Sequence, residues 1–122
     1  MLHMNFNERV VMDTATMPWQ ASPMPGVWRK RLARADEESG HATSLVRYDA
    51  GSCFSAHEHP GGEEIFVLDG VFSDETGDYG PGSYLRNPPE TRHAPFSRDG
   101  CTLFVKLHQF AEGDTATVRI NT

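Results

Sequence analysis

Three of the six histidines in this 122-residue chain are placed where imidazoles could converge on one ion: His57, His59 and His93. His57 and His59 are two positions apart. Residues i and i+2 of a β-strand share a face, so an extended segment here would form a chelate. Pro60-Gly61-Gly62 can then reverse the chain and return a carboxylate, Glu63 or Glu64, to the histidine face. A second turn at Pro88-Pro89 precedes His93, which can supply a further nitrogen. Three imidazoles and one carboxylate suit Zn, Fe, Mn, Ni or Cu, and they disfavour the all-oxygen cage of Ca or Mg. His3, His41 and His108 lack such spacing and read as surface or hydrogen-bonded residues.

Short strands must carry these side chains. Eleven Gly and eight Pro cut the chain into brief apolar runs, leaving a long helix almost nowhere to sit. Turn signals recur from Glu37-Glu38-Ser39-Gly40 through Ala50-Gly51, Asp69-Gly70, Glu75-Thr76-Gly77 and Gly80-Pro81-Gly82 to Asp99-Gly100. Such spacing predicts an antiparallel sandwich or barrel. The expected strands are Val10 to Met12, Val27 to Ala33, Thr43 to Tyr48, Cys53 to His59, Glu63 to Leu68, Val71 to Ser73, Ser83 to Arg86 and Cys101 to Phe110, with a weak one at Thr117 to Ile120. Cys53 lies an even number of positions before His57, which predicts that it faces inward as a small structural hydrophobe. Phe54, Phe66, Tyr84, Phe96, Phe104 and Phe110 read as core and interface packing.

The stretch from Gly51 through His57, His59 and Glu63 to Gly70 reads G-x5-H-x-H-x3-E-x6-G. It resembles the first motif of the cupin superfamily over its full length. The second motif, G-x5-P-x-G-x2-H-x3-N, is matched at Gly82, Pro88 and His93, with Glu90 in place of its glycine and Ser97 in place of its asparagine. Trp28-Arg29-Lys30, Thr43 to Tyr48, Gly61 to Glu64, Arg86 to Pro89 and Leu103 to Leu107 are similar to the C-terminal cupin domain of ChrR-type anti-sigma factors and their stand-alone relatives. The resemblance implies an all-β double-stranded β-helix, the jelly-roll or cupin barrel. It also implies metal ligation by His57, His59, Glu63 and His93. Glu63 is favoured over Glu64 because it alone has the motif's six residues between itself and Gly70. By resemblance the ion is zinc first, with iron, manganese or nickel as alternatives.

Composition narrows the function. Seventeen acidic against eleven basic side chains give a net charge of −6. That balance argues against nucleic acid and against an anionic membrane surface. Arg29, Lys30, Arg31 and Arg34 cluster, but with Val27, Trp28, Leu32 and Ala33 interleaved they read as a strand with one wet face. Arg86 is a candidate for binding a carboxylate, on a strand leading toward the site. Two cysteines, Cys53 and Cys101, form no C-x-x-C pair, and no apolar run approaches membrane-spanning length. A cytoplasmic setting is expected. Residues 1–122 are expected to be one domain, with 1–26 an arm packing on the barrel or on a homodimer partner through Trp19 and Trp28. The function expected is a metal-binding module that binds a small molecule or acts in a stress response. The alternative is a dioxygenase acting on a diketone or enolic substrate. Sigma-factor binding is not expected, because nothing here resembles the helical domain that performs it.

Overall fold

The computed structural model describes residues 2–35, 41–54, 57–58, 61–89 and 91–107, with the backbone alone at His57 and Glu58. The strands are β1 (Gln20–Ala21), β2 (Val27–Arg34), β3 (Ala42–Tyr48), β4 (Ser52–Cys53), β5 (His57–Glu58), β6 (Glu63–Gly70), β7 (Phe72–Asp74), β8 (Gly77–Tyr79), β9 (Tyr84–Asn87), β10 (Arg92–His93), β11 (Phe96–Ser97) and β12 (Cys101–Leu107). Among the described residues the one helical element is a 3-10 turn at Thr14–Thr16, capped by the Asp13 carboxylate. The strands make a six-stranded sheet in the order β1-β2-β3-β12-β6-β9, a four-stranded sheet β4-β11-β7-β8 and a separate short β10-β5 ladder. Every pairing is antiparallel. This is the double-stranded β-helix of jelly-roll type.

Alternation along the central strands decides what lies inside. β12 buries Cys101, Leu103 and Val105, and β6 buries Glu63, Ile65 and Val67 while Phe66 and Leu68 face out. A register irregularity between Thr102 and Leu103 places Val67 rather than Leu68 opposite Leu103, so both stay in the core. Tyr48 of the large sheet stacks edge-on against Phe72 of the small sheet at 5.9 Å, and Phe54 meets Tyr48 at 5.7 Å. The core therefore fills the space between the two sheets. Burying a side chain such as Leu103 or Phe72 contributes about 1.5–3 kcal/mol.

Several expectations are corrected. Val10 to Met12 forms no strand; Val10 and Val11 are exposed, and the arm is held instead by β1 on β2 and by the Leu2–Arg34 bridge. The expected strand from Cys53 to His59 is interrupted, which breaks the parity count. Ser52 is the buried residue, its hydroxyl donating to the Gly26 and Asp49 carbonyls, and Cys53 is exposed. Phe66 and Tyr84 are exposed rather than core. Strands β1, β8, β10 and β11 have only two or three residues, too few to show a hydrophobic period. His59, His108, Phe110 and the weak strand at Thr117 to Ile120 lie outside the described residues.

Gly70 ends β6 at φ +73, and a Cβ there would run into the Gly100 carbonyl and the Cys101 backbone. Gly51 has φ +82 with nothing within 4 Å of a would-be Cβ. Left-handed backbone costs an ordinary residue about 1–2 kcal/mol, and overpacking adds about 1–3. Gly70→Ala should therefore lose about 3 kcal/mol of unfolding free energy and Gly51→Ala about 1, read from urea denaturation midpoints. Equal losses would contradict the steric assignment at Gly70.

Candidate metal centre

Glu63 opens β6 on the face that also carries Ile65 and Val67, and is only 4% exposed. Pro60 to Gly62 precede it, Gly62 with φ +76, a left-handed turn that glycine permits. β9 pairs with β6 so that Asn87 lies opposite Glu63, and the Asn87 amide donates to Glu63 Oε1 at 2.9 Å. His93 ends β10, is 6% exposed, and brings Nε2 to 2.5 Å from the same oxygen. β10 pairs with β5 so that His93 stands in register with His57 and Arg92 with Glu58. The backbone thus brings three of the four expected ligand positions, His57, Glu63 and His93, to one end of the barrel. His59, the fourth, lies outside the described residues. Among the described residues, no group of three or more His, Cys, Asp or Glu side chains converges on a point.

Glu64 points away from this pair and accepts a hydrogen bond from the Tyr84 hydroxyl at 2.7 Å. The structure therefore separates the two candidate carboxylates by strand alternation, placing Glu63 inside. Arg86 is exposed and sits opposite Glu64 in the ladder, so it does not lead into the site. Ser97, at the position of the motif's asparagine, is fully buried and donates to the Val71 carbonyl at 2.5 Å. It fastens β11 to the segment leading into β7.

The surroundings of His93 are acidic. Its pKa is raised, first by the hydrogen bond to Glu63, against the opposing effect of burial, and further by the charges of Glu63, Asp74 and Glu75. Glu75 is anchored by the Ala94 amide at 2.9 Å, beside the histidine. Burial, and next the negative charge of Glu63, push the Tyr48 hydroxyl well above its ordinary range. One nitrogen and one oxygen donor, held together in a dry and net negative environment, are a donor pair fitted to a cation. Asn87, Asp74 and Glu75 were not singled out by sequence. Asn87 depends on the β6–β9 register, and the two acids on the end of β7 and the turn after it lying near His93, neither of which leaves a local motif.

The profile of the family described as the ChrR cupin-like domain matches residues 7–111. No protein of curated function matches the chain. Among solved structures the chain is similar to the complex of Rhodobacter sphaeroides SigE with the anti-sigma ChrR, at 26% identity and a TM-score of 0.64, covering 75% of this chain and 50% of that one. It thus spans half the length of that matched chain. An RmlC-like cupin protein from Ralstonia eutropha matches at 21% identity and a TM-score of 0.70, covering 82% of this chain and 68% of that one. An acetylacetone dioxygenase from Acinetobacter johnsonii matches at 20% identity and a TM-score of 0.67, covering 82% and 72%. These last two are likenesses of fold.

The raised pKa of His93 fixes the sign of a pH effect in metal-free protein. A histidine whose folded pKa lies above its ordinary 6.5 contributes stability in full below that value. The contribution fades as pH rises through the raised folded pKa. Thermal denaturation of chelator-treated protein should accordingly show a decline in midpoint on the alkaline side of pH 6.5 that His93→Gln removes. A decline that persists unchanged in the variant would assign it to another group.

Proposed function

The chain belongs to the ChrR cupin-like family, and on that premise we propose that it is a metal-binding cupin module. It holds one divalent ion on His57, His59, Glu63 and His93 and binds a small molecule beside that ion. The observation that carries the reading is the buried contact of Glu63 with His93, 2.5 Å long, at the barrel end where the backbone also delivers His57. A carboxylate and an imidazole in such contact share a proton, and a cation can take that proton's place. The work of this chain's residues is then clear. Asn87 holds the Glu63 oxygen in place, and Asp74 and Glu75 keep the field negative. Both side chains are kept from water, Glu63 and His93 being buried.

Zinc is the ion favoured by resemblance, and bound zinc would supply Lewis acidity without changing oxidation state. The acetylacetone dioxygenase whose fold this chain shares motivates the second reading, a metal-dependent dioxygenase acting on a diketone, with iron, manganese or nickel in the site. The anti-sigma role of ChrR belongs to a chain of which this one spans half, and it is not carried over.

Protein purified without a chelating column should contain about one transition-metal ion per chain by mass spectrometry. The double variant His57→Ala, His59→Ala should lose that ion while keeping its β-sheet circular dichroism; metal content unchanged in the variant would overturn the site. Ligating imidazoles must be neutral, so retention should fall below about pH 6. Dioxygen uptake with 2,4-pentanedione by the Fe²⁺-loaded protein would favour the dioxygenase. No uptake in any metal form would remove that reading.

A further inference from the structure

The basic run of β2 does not form a wet face. Register places Val27 opposite Tyr48, Arg29 opposite Val46 and Arg31 opposite Ser44, and β12 continues these rows with Cys101, Leu103 and Val105. Directly opposed residues of an antiparallel pair share a face. Arg29 and Arg31 therefore stand on the inner face of the large sheet, the one that carries the core. After the irregularity beyond Arg31, Arg34 pairs with buried Ala42 and joins them. The outward cation is the satisfied one. Lys30 is 8% exposed, donates to the Thr14 carbonyl at 2.7 Å and lies 4.6 Å from the centre of the Trp19 ring.

The two inner arginines lack such partners. The Nε atoms of Arg29 and Arg31 are shielded from solvent and have no hydrogen-bond partner among the described residues. The ion pairs among the described residues join Arg47 to Asp49, His93 to Glu63 and Arg98 to Asp78, and none engages Arg29 or Arg31. Burial, then the charges of Arg31 and Arg34, lower the pKa of Arg29, so the guanidiniums are close enough to repel. A shielded donor without an acceptor and a cation beside like charges are each unfavourable. A bound anion relieves both at once.

We propose that Arg29 and Arg31 are the recognition site for the carboxylate of a small organic acid bound against the inner face of the large sheet. The guanidinium fork matches a carboxylate in bidentate fashion. Val46, half-buried in the same row, offers apolar contact to a carbon skeleton beside the buried Leu103 and Val105, and Ser44 is the polar exception. Glu63 lies on this inner face too, on β6, so the acid and the proposed ion would share one face of the large sheet. The inference deepens the small-molecule half of the proposed function and does not need the metal.

The test titrates full-length protein, chelator-treated and metal-loaded in parallel, with hexanoate, hexanamide and inorganic phosphate by calorimetry. Hexanoate should bind both forms and hexanamide neither. Arg29→Gln with Arg31→Gln should weaken hexanoate tenfold or more, the scale of losing charge-assisted hydrogen bonds. The unliganded double variant should melt no lower than the wild type, since like-charge repulsion has gone, and should keep its metal content. Hexanoate binding unchanged by the substitutions, or phosphate bound as tightly as hexanoate, overturns the proposal. If the double variant fails to fold, phenylglyoxal labelling of the wild type decides. Hexanoate should protect Arg29 and Arg31 but not the surface residues Arg47 and Arg98, and equal labelling with and without it overturns the proposal. Metal retained in the histidine variant with hexanoate binding intact would count against the ion site alone; metal lost from that variant as expected, with no hexanoate binding by the wild type, would count against the acid alone.

Discussion

Burial of the Glu63 carboxylate is the constraint on which the rest of the structure depends. β6 continues inward with Ile65 and Val67, so the alternation that fills the core also carries an acid out of water at the strand's first residue. An isolated buried carboxylate would cost several kcal/mol, so partners must reach it. Asn87 reaches it only if β9 pairs with β6 in the observed register, and His93 only if β10 crosses to the same end. The acid's placement thus fixes one edge of the large sheet and the position of the short β10–β5 ladder. It also acts inward, since its charge helps hold the Tyr48 hydroxyl in its neutral form at the centre of the aromatic cluster.

What was legible in the sequence follows the range of the physics involved. Long strands with a clear period of two, β2, β3, β6 and β12, could be read from composition and turns, and so could the jelly-roll class they build. That Glu63 rather than Glu64 faces inward was legible as well, because one residue of shift changes the face, and the motif spacing states the parity. Parity failed at Cys53, where counting through to His57 assumed an unbroken strand. β4 ends at Cys53 and Phe54 lies outside any strand, and Ser52 takes the buried place through its hydrogen bonds to Gly26 and Asp49. Asn87 and Asp74 were invisible for a different reason. Each is 19 or more residues from His93 or Glu63 in contact or field, as Asn87 is 24 from Glu63, and no local pattern encodes a register between distant strands.

The basic run shows how an average can mislead. A net charge of −6 made Arg29, Lys30, Arg31 and Arg34 look like a solvated strand face in an acidic protein. Strand alternation sorts them instead. Lys30 goes outward beneath Trp19 and the Thr14 carbonyl, where the N-terminal segment covers the sheet, and the arginines go inward. Strand β2 thereby links the segment around Trp19 to the interior, since it presents opposite faces to both. Arg47 adds to the same outer patch, lying 4.9 Å from the Trp19 ring and 5.7 Å from that of Trp28.

The inner face of the large sheet consequently carries two opposite electrostatic regions. Glu63 makes one on β6, with His93 and the field of Asp74 against it; Arg29, Arg31 and Arg34 make the other on β2. Between them β3 and β12 interpose Val46, Leu103 and Val105, an apolar strip that leaves β2 and β6 three strand spacings, about 14 Å, apart. Opposite charges that far apart, with apolar side chains between, do not form hydrogen bonds with each other. A single wall that folds with its acids and its arginines separated in this way is unsatisfied at the arginine end and closed upon a proton at the acid end. Direct neutralisation would have required the two regions on adjacent strands. Their separation by two intervening strands leaves the wall able to meet a cation at one side and an anion at the other.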